Sequence, residues 1–88
     1  MNEPRALTLQ RSIVPSGDRK KFLDKLKARH AYYVGAGCKH WVFEEAELPG
    51  AFIEFIEAAD GETLSRALSA APDPVLDRAR IYQEVGID

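Results

Sequence analysis

The sequence predicts an α+β fold whose elements run strand, helix, strand, strand, helix, strand, in one domain spanning residues 1–88. Three observations predict it. Apolar residues alternate at period two in short segments, as strands require. Elsewhere they recur at spacings of three and four, as helices require. Glycine, proline and aspartate sit at the joints between these segments. With 88 residues, a second core would leave each half too little buried surface to stay folded.

Each element has a local cause. Residues 1–5 form a loose start. In Ala6–Val14, Leu7, Leu9 and Ile13 share one face and Thr8, Gln10 and Ser12 the other; Arg11 interrupts the apolar set. Pro15 lacks the N–H a strand ladder needs, and Ser16–Gly17 turns the chain. Asp18 is placed to cap a helix, whose stripe is Phe22, Leu23, Leu26, His30, Tyr33 and Val34. Gly35 and Gly37 supply its left-handed stop. Cys38–Glu45 is rich in β-formers, with Lys39, Trp41, Phe43 and Glu45 opposite His40, Val42 and Glu44. Leu48–Pro49–Gly50 makes a hairpin turn into Ala51–Ala58. There Phe52, Glu54 and Ile56 oppose Ile53, Phe55 and Glu57. Asp60 caps a second helix with the stripe Leu64, Ala67, Leu68 and Ala71, and Pro72–Asp73–Pro74 ends it. Val75–Ala79 is expected to add a short helical turn. Arg80–Val85 is the last strand.

This order is the ferredoxin-like split pattern: a four-stranded antiparallel sheet with both helices on one face. The opposite face keeps aromatic and branched residues that a monomer leaves wet. Large apolar patches mark interfaces, so a homodimer is expected.

Composition narrows the function. Apolar residues make up 45% and charged residues 30% of the chain, an ordinary globular balance. No apolar run approaches the roughly 20 residues that span a bilayer, and the N-terminus lacks the basic-then-apolar pattern of a secretory leader. Cys38 is the single cysteine, which fits a reducing compartment, so a cytoplasmic location is expected. Residues 1–40 hold nine Lys/Arg and three Asp/Glu, residues 41–88 three and eleven. That split is expected to be a solvated basic helix beside an acidic sheet edge. Gly35–Ala36–Gly37 precedes a strand rather than opening a helix, so it is no phosphate cradle. His30 and His40 have no further ligands at metal-binding spacing, so no metal or cofactor is expected.

Gly37–Cys38 opening the second strand, Pro49–Gly50 in the hairpin, the run Phe-Ile-Glu-Phe-Ile-Glu over 52–57, then Asp60 and a helix with Glu62 and Leu64 together resemble the antibiotic-biosynthesis-monooxygenase-like family. The resemblance spans about residues 6–86. It implies a dimeric α/β barrel with a ligand cleft between sheet and helices. The chain departs from the family late in the third strand: many members carry Glu and Trp where this sequence has Ile56 and Ala58.

Five residues are the candidates for such a cleft. His40 titrates near working pH and is the general-base candidate. The Tyr33 hydroxyl can orient a phenolic or quinone-like substrate. Trp41 can stack a flat ring, while Arg11 and Glu54 are charges within otherwise apolar strands, paired with each other or with Lys39 or Arg80, or bound to a ligand. His40 and Trp41 point to opposite faces of a regular strand, so which of them lines the cleft is open. Two functions remain. One is a cofactor-independent monooxygenase acting on a quinol or polyphenol. The other is a non-catalytic binding or interaction protein of the same fold. An RNA-binding domain shares the element order. It is disfavoured because Leu48–Pro49 stands where that module has a basic-glycine pair, and the sheet carries glutamates that repel phosphate.

Overall fold

The computed structural model describes residues 3–72 and 80–87. Six elements form the fold: β1 (Ala6–Ile13), α1 (Arg19–Gly35), β2 (Lys39–Glu44), β3 (Ala51–Ala58), α2 (Gly61–Ser69) and β4 (Tyr82–Gln83). The strands make one sheet in the order β2-β3-β1-β4, and every neighbouring pair is antiparallel. The architecture is α+β and compatible with a ferredoxin-like fold.

β1 and β3 form the centre of the sheet and pair along their full length, Ala6 opposite Ala58 and Ile13 opposite Ala51. The hairpin to β3 closes at Gly50, which has φ 92°. Only glycine adopts that region without strain. The same residue lies against β1: Val14 N–H donates to Gly50 O at 2.8 Å.

Both helices lie on the same face of the sheet. Tyr33 of α1 and Leu64, Ala67 and Leu68 of α2 share one buried cluster with Ala6, Ile56 and Ala58. The Tyr32 hydroxyl ties the helices together by donating to Ala67 O at 2.7 Å. Asp60 caps α2, its carboxylate accepting from the Thr63 N–H at 2.7 Å. Asp18 behaves differently: a 3-10 turn over Ser16–Asp18 leads directly into α1, and the Asp18 side chain makes no cap hydrogen bond.

Two further expectations are corrected. α1 is turned by about one residue from the expected stripe. Leu26 and Tyr33 are buried, His30 and Val34 are exposed, and Arg29 lies inward. β4 is two residues long rather than Arg80–Val85, and the expected turn at Val75–Ala79 lies outside the described residues. Alternation in β1 leaves open which set is covered, and the structure covers the polar one. Ala6, Thr8, Gln10 and Ser12 share the helix side, and Leu7, Leu9, Arg11 and Ile13 the open side.

The covered face therefore has a polar patch beside its apolar core. Thr8 hides its hydroxyl by donating to Arg80 O at 2.8 Å. The open face carries Leu7, Leu9, Ile53 and Phe55, with Phe43 packed edge-on against Phe55 at 5.9 Å.

Candidate functional site

The polar patch centres on Glu54. Period two along β3 places its side chain beneath α1, between Gln10 of β1 and Val42 of β2. The side chain is 4% exposed. A buried carboxylate must be paired to be tolerated. One oxygen, Oε1, accepts from Arg29 Nη1. The other, Oε2, lies 2.6 Å from His40 Nε2. Sequence reasoning missed Arg29, although it stands three residues after Leu26 and four before Tyr33, on the buried stripe.

His40 reaches Glu54 from the neighbouring strand, and its side chain is 1% exposed. Its second nitrogen, Nδ1, lies 2.9 Å from Nδ1 of His30. The network limits the tautomers. A carboxylate only accepts, so His40 Nε2 carries hydrogen and donates to Glu54. With a neutral His40 its Nδ1 holds a lone pair and accepts the Nδ1–H of His30; with a charged His40 the direction of that bond reverses. The result is a chain from a buried carboxylate through a buried imidazole to an exposed one.

Tyr33 stacks on His40, ring centroids 6.0 Å apart and planes 26° from parallel. Its hydroxyl is buried and has no hydrogen-bond partner among the described residues. Burial pushes its pKa up to about 12. At neutral pH it is therefore a donor and not a base. Burial also pushes the Cys38 thiol up, away from the thiolate that nucleophilic chemistry needs.

The His chain opens at the sheet edge. A groove of about 530 Å³ runs between α1 and β2, lined by Leu23, Leu26, Lys27, His30, His40, Trp41 and Val42. Its volume falls within the range of small-molecule sites, roughly 300–1,000 Å³. Trp41 borders it although it alternates with His40, β2 being an edge strand of the sheet. Beyond Arg29, a hollow of about 100 Å³ lies beside Tyr32, Tyr33 and Ala71. It has no room for a multi-ring ligand.

The structure thus brings His40, Glu54 and Tyr33 together and sets Trp41 on the groove they approach. Arg11 is not part of this site. It is exposed on the open face, opposite Ile53, and the pairing of Arg11 with Glu54 gives way to Arg29 and His40. His30, expected on the buried stripe, is exposed at the end of the chain. Among the described residues, no group of three or more His, Cys, Asp or Glu side chains is arranged to hold a metal ion. No helix among them is long and apolar enough to cross a membrane.

No family model matches the chain, and neither a curated protein nor a solved structure matches it.

Proposed function

We propose that the protein is a homodimer of the dimeric α/β-barrel type that binds a small, flat, weakly acidic aromatic in the α1–β2 groove and removes a proton from it. The quinol or polyphenol class fits, with the protein acting as a cofactor-independent monooxygenase. The observation that carries this reading is the buried Glu54–His40 pair, 2.6 Å apart, abutting an apolar groove walled by Leu23, Leu26, Trp41 and Val42. Apolar walls hold the ring, and the imidazole end meets the one acidic group. Deprotonation leaves an electron-rich anion. Dioxygen adds at a ring carbon that still bears hydrogen, and the hydroperoxide loses water to leave a carbonyl. The protein supplies orientation, the base and a sheltered surface.

The dimer rests on the open sheet face. Phe43 is 57% and Ile13 78% exposed, and they continue into Leu7, Leu9, Ile53 and Phe55. A two-fold contact lays this patch on itself and removes the exposed apolar area.

The test is oxygen uptake over a panel of quinols and polyphenols. The His40→Ala and Trp41→Ala variants are compared after their fold and mass are checked. Turnover lost in His40→Ala, with ligand binding weakened in Trp41→Ala, is expected. Wild-type binding without turnover makes this a non-catalytic binding protein. Neither binding nor turnover defeats the groove reading. Light scattering should give twice the 9.8 kDa chain mass; a monomer removes the barrel.

A further inference from the structure

His40 has no nitrogen to offer a ligand. Its Nε2 is engaged by Glu54 at 2.6 Å and its Nδ1 by His30 at 2.9 Å, and its side chain is 1% exposed. His30 is the reverse case. Its Nδ1 is turned inward to His40, its ring is exposed on the groove wall, and its Nε2 has no hydrogen-bond partner among the described residues. We infer that His30 is the residue that meets the ligand's proton, and that His40 and Glu54 are positioning residues acting through it. The inference rests on the groove reading above and names the working atom, His30 Nε2.

The proton count follows from the tautomers. In the resting site His30 holds hydrogen on Nδ1, so Nε2 presents its lone pair to the groove. That is the form a base needs. The ligand's bond to hydrogen breaks, its electron pair stays on the ligand, and a new N–H bond forms at His30 Nε2. The imidazolium so formed still donates Nδ1–H to His40. When that hydrogen passes across the contact, His30 is left neutral with hydrogen on Nε2. The positive charge then lies on His40, against the Glu54 carboxylate. The resting state returns when the Nδ1 proton passes back to His30 and the extra proton leaves His30 Nε2 for the peroxide anion of the oxidised ligand or for water. A charged His30 and a charged His40 cannot coexist in this geometry, because two N–H groups would then meet at 2.9 Å. The site holds one extra proton at a time. The charged and titratable groups around the pair are Glu54 and Arg29 behind His40, Tyr33 stacked on it, and Lys27 beside His30 on the groove wall. Without the Glu54–His40 pair, nothing in the described structure holds His30 in the Nδ1–H form.

The test has an arm that needs no ligand. Nitrogen-15 NMR of histidine-labelled full-length protein at neutral pH should show His40 in the Nε2–H form and His30 in the Nδ1–H form. His40→Gln should abolish the His30 preference. Diethyl pyrocarbonate should modify His30 and spare His40. His30 with hydrogen on Nε2, or equal modification of both histidines, overturns the assignment and leaves the groove reading standing. The second arm uses whichever quinol or polyphenol turns over. His30→Gln, at an exposed position that leaves the fold intact, should lower kcat about 100-fold, the scale of lost general-base catalysis, with KM within a few-fold. Glu54→Gln should change the pH profile of kcat as well as its size, which a purely structural role would not do. Unchanged kcat in His30→Gln overturns the inference. Correct tautomers with no binding by any panel compound overturn the groove reading on which it rests.

Discussion

Removing the Glu54 carboxylate should destabilise the fold on the scale of a core truncation. Glu54→Ala takes the acceptor from two groups held out of water, Arg29 Nη1 and His40 Nε2, whose side chains are 10% and 1% exposed. Hydrogen bonds to a charged group contribute about 1.5–3 kcal/mol each. Breaking a buried pair by deleting one partner costs about 3–5 kcal/mol, since the remaining charge stays buried. The low end applies here, because Arg29 has a further interaction in the fold. A chain of this length has a total stability of about 4–13 kcal/mol at the usual 0.05–0.15 per residue. A loss of about 3 kcal/mol is therefore a quarter or more of the whole. At about 4–8 °C per kcal/mol for small domains, Tm should fall by at least about 12 °C. Glu54→Gln keeps the shape and one acceptor, so it should lie between the wild type and Glu54→Ala. Urea unfolding at one fixed protein concentration measures all three, so that any self-association enters each measurement alike. Glu54→Ala within about 1 kcal/mol of wild type, below the range for a deleted buried partner, would refute the claim that this carboxylate is held by desolvated partners.

Other outcomes follow from the same geometry. Gly50→Ala would set a Cβ 2.5 Å from the backbone oxygen of Val14, at a φ of +92°. Both the clash with fixed backbone and the left-handed strain oppose it, so a loss of about 2 kcal/mol or more is expected in chemical denaturation. Glu44 is held at about 2, first by its hydrogen bonds from Arg19 and then by the Gly50 N–H. A depressed folded-state value means that this stabilisation is complete above the ordinary carboxylate range and is lost as pH falls toward 2. The melting temperature of Glu44→Gln should accordingly fall less than that of wild type between about pH 4.5 and 2. Asp60→Ala removes the acceptor for the Thr63 N–H and should cost about 1 kcal/mol, visible as a lower urea midpoint with an unchanged slope.

What the sequence by itself determined is whatever local geometry dictates. Period two assigned opposite faces to His40 and Trp41, and to Glu54 and Phe55, because successive Cβ atoms of a strand alternate. β3 runs from Ala51 to Ala58 as read, bounded by Gly50, which makes the turn, and by the Asp60 cap of the next helix. The tertiary structure decided which face is covered. Alternation separates Leu7 and Leu9 from Thr8 and Gln10 but does not say which set the helices cross, since that depends on the path of the connections above the sheet. It also decided the rotation of α1. Neighbouring residues on a helix are about 100° apart, so a turn of one residue brings Arg29 inward and moves His30 to the surface. The partners of Glu54 lie 25 and 14 residues away along the chain, on a helix and on a neighbouring strand. No local pattern links such residues. They meet because a buried carboxylate is stable only where packing brings donors to it.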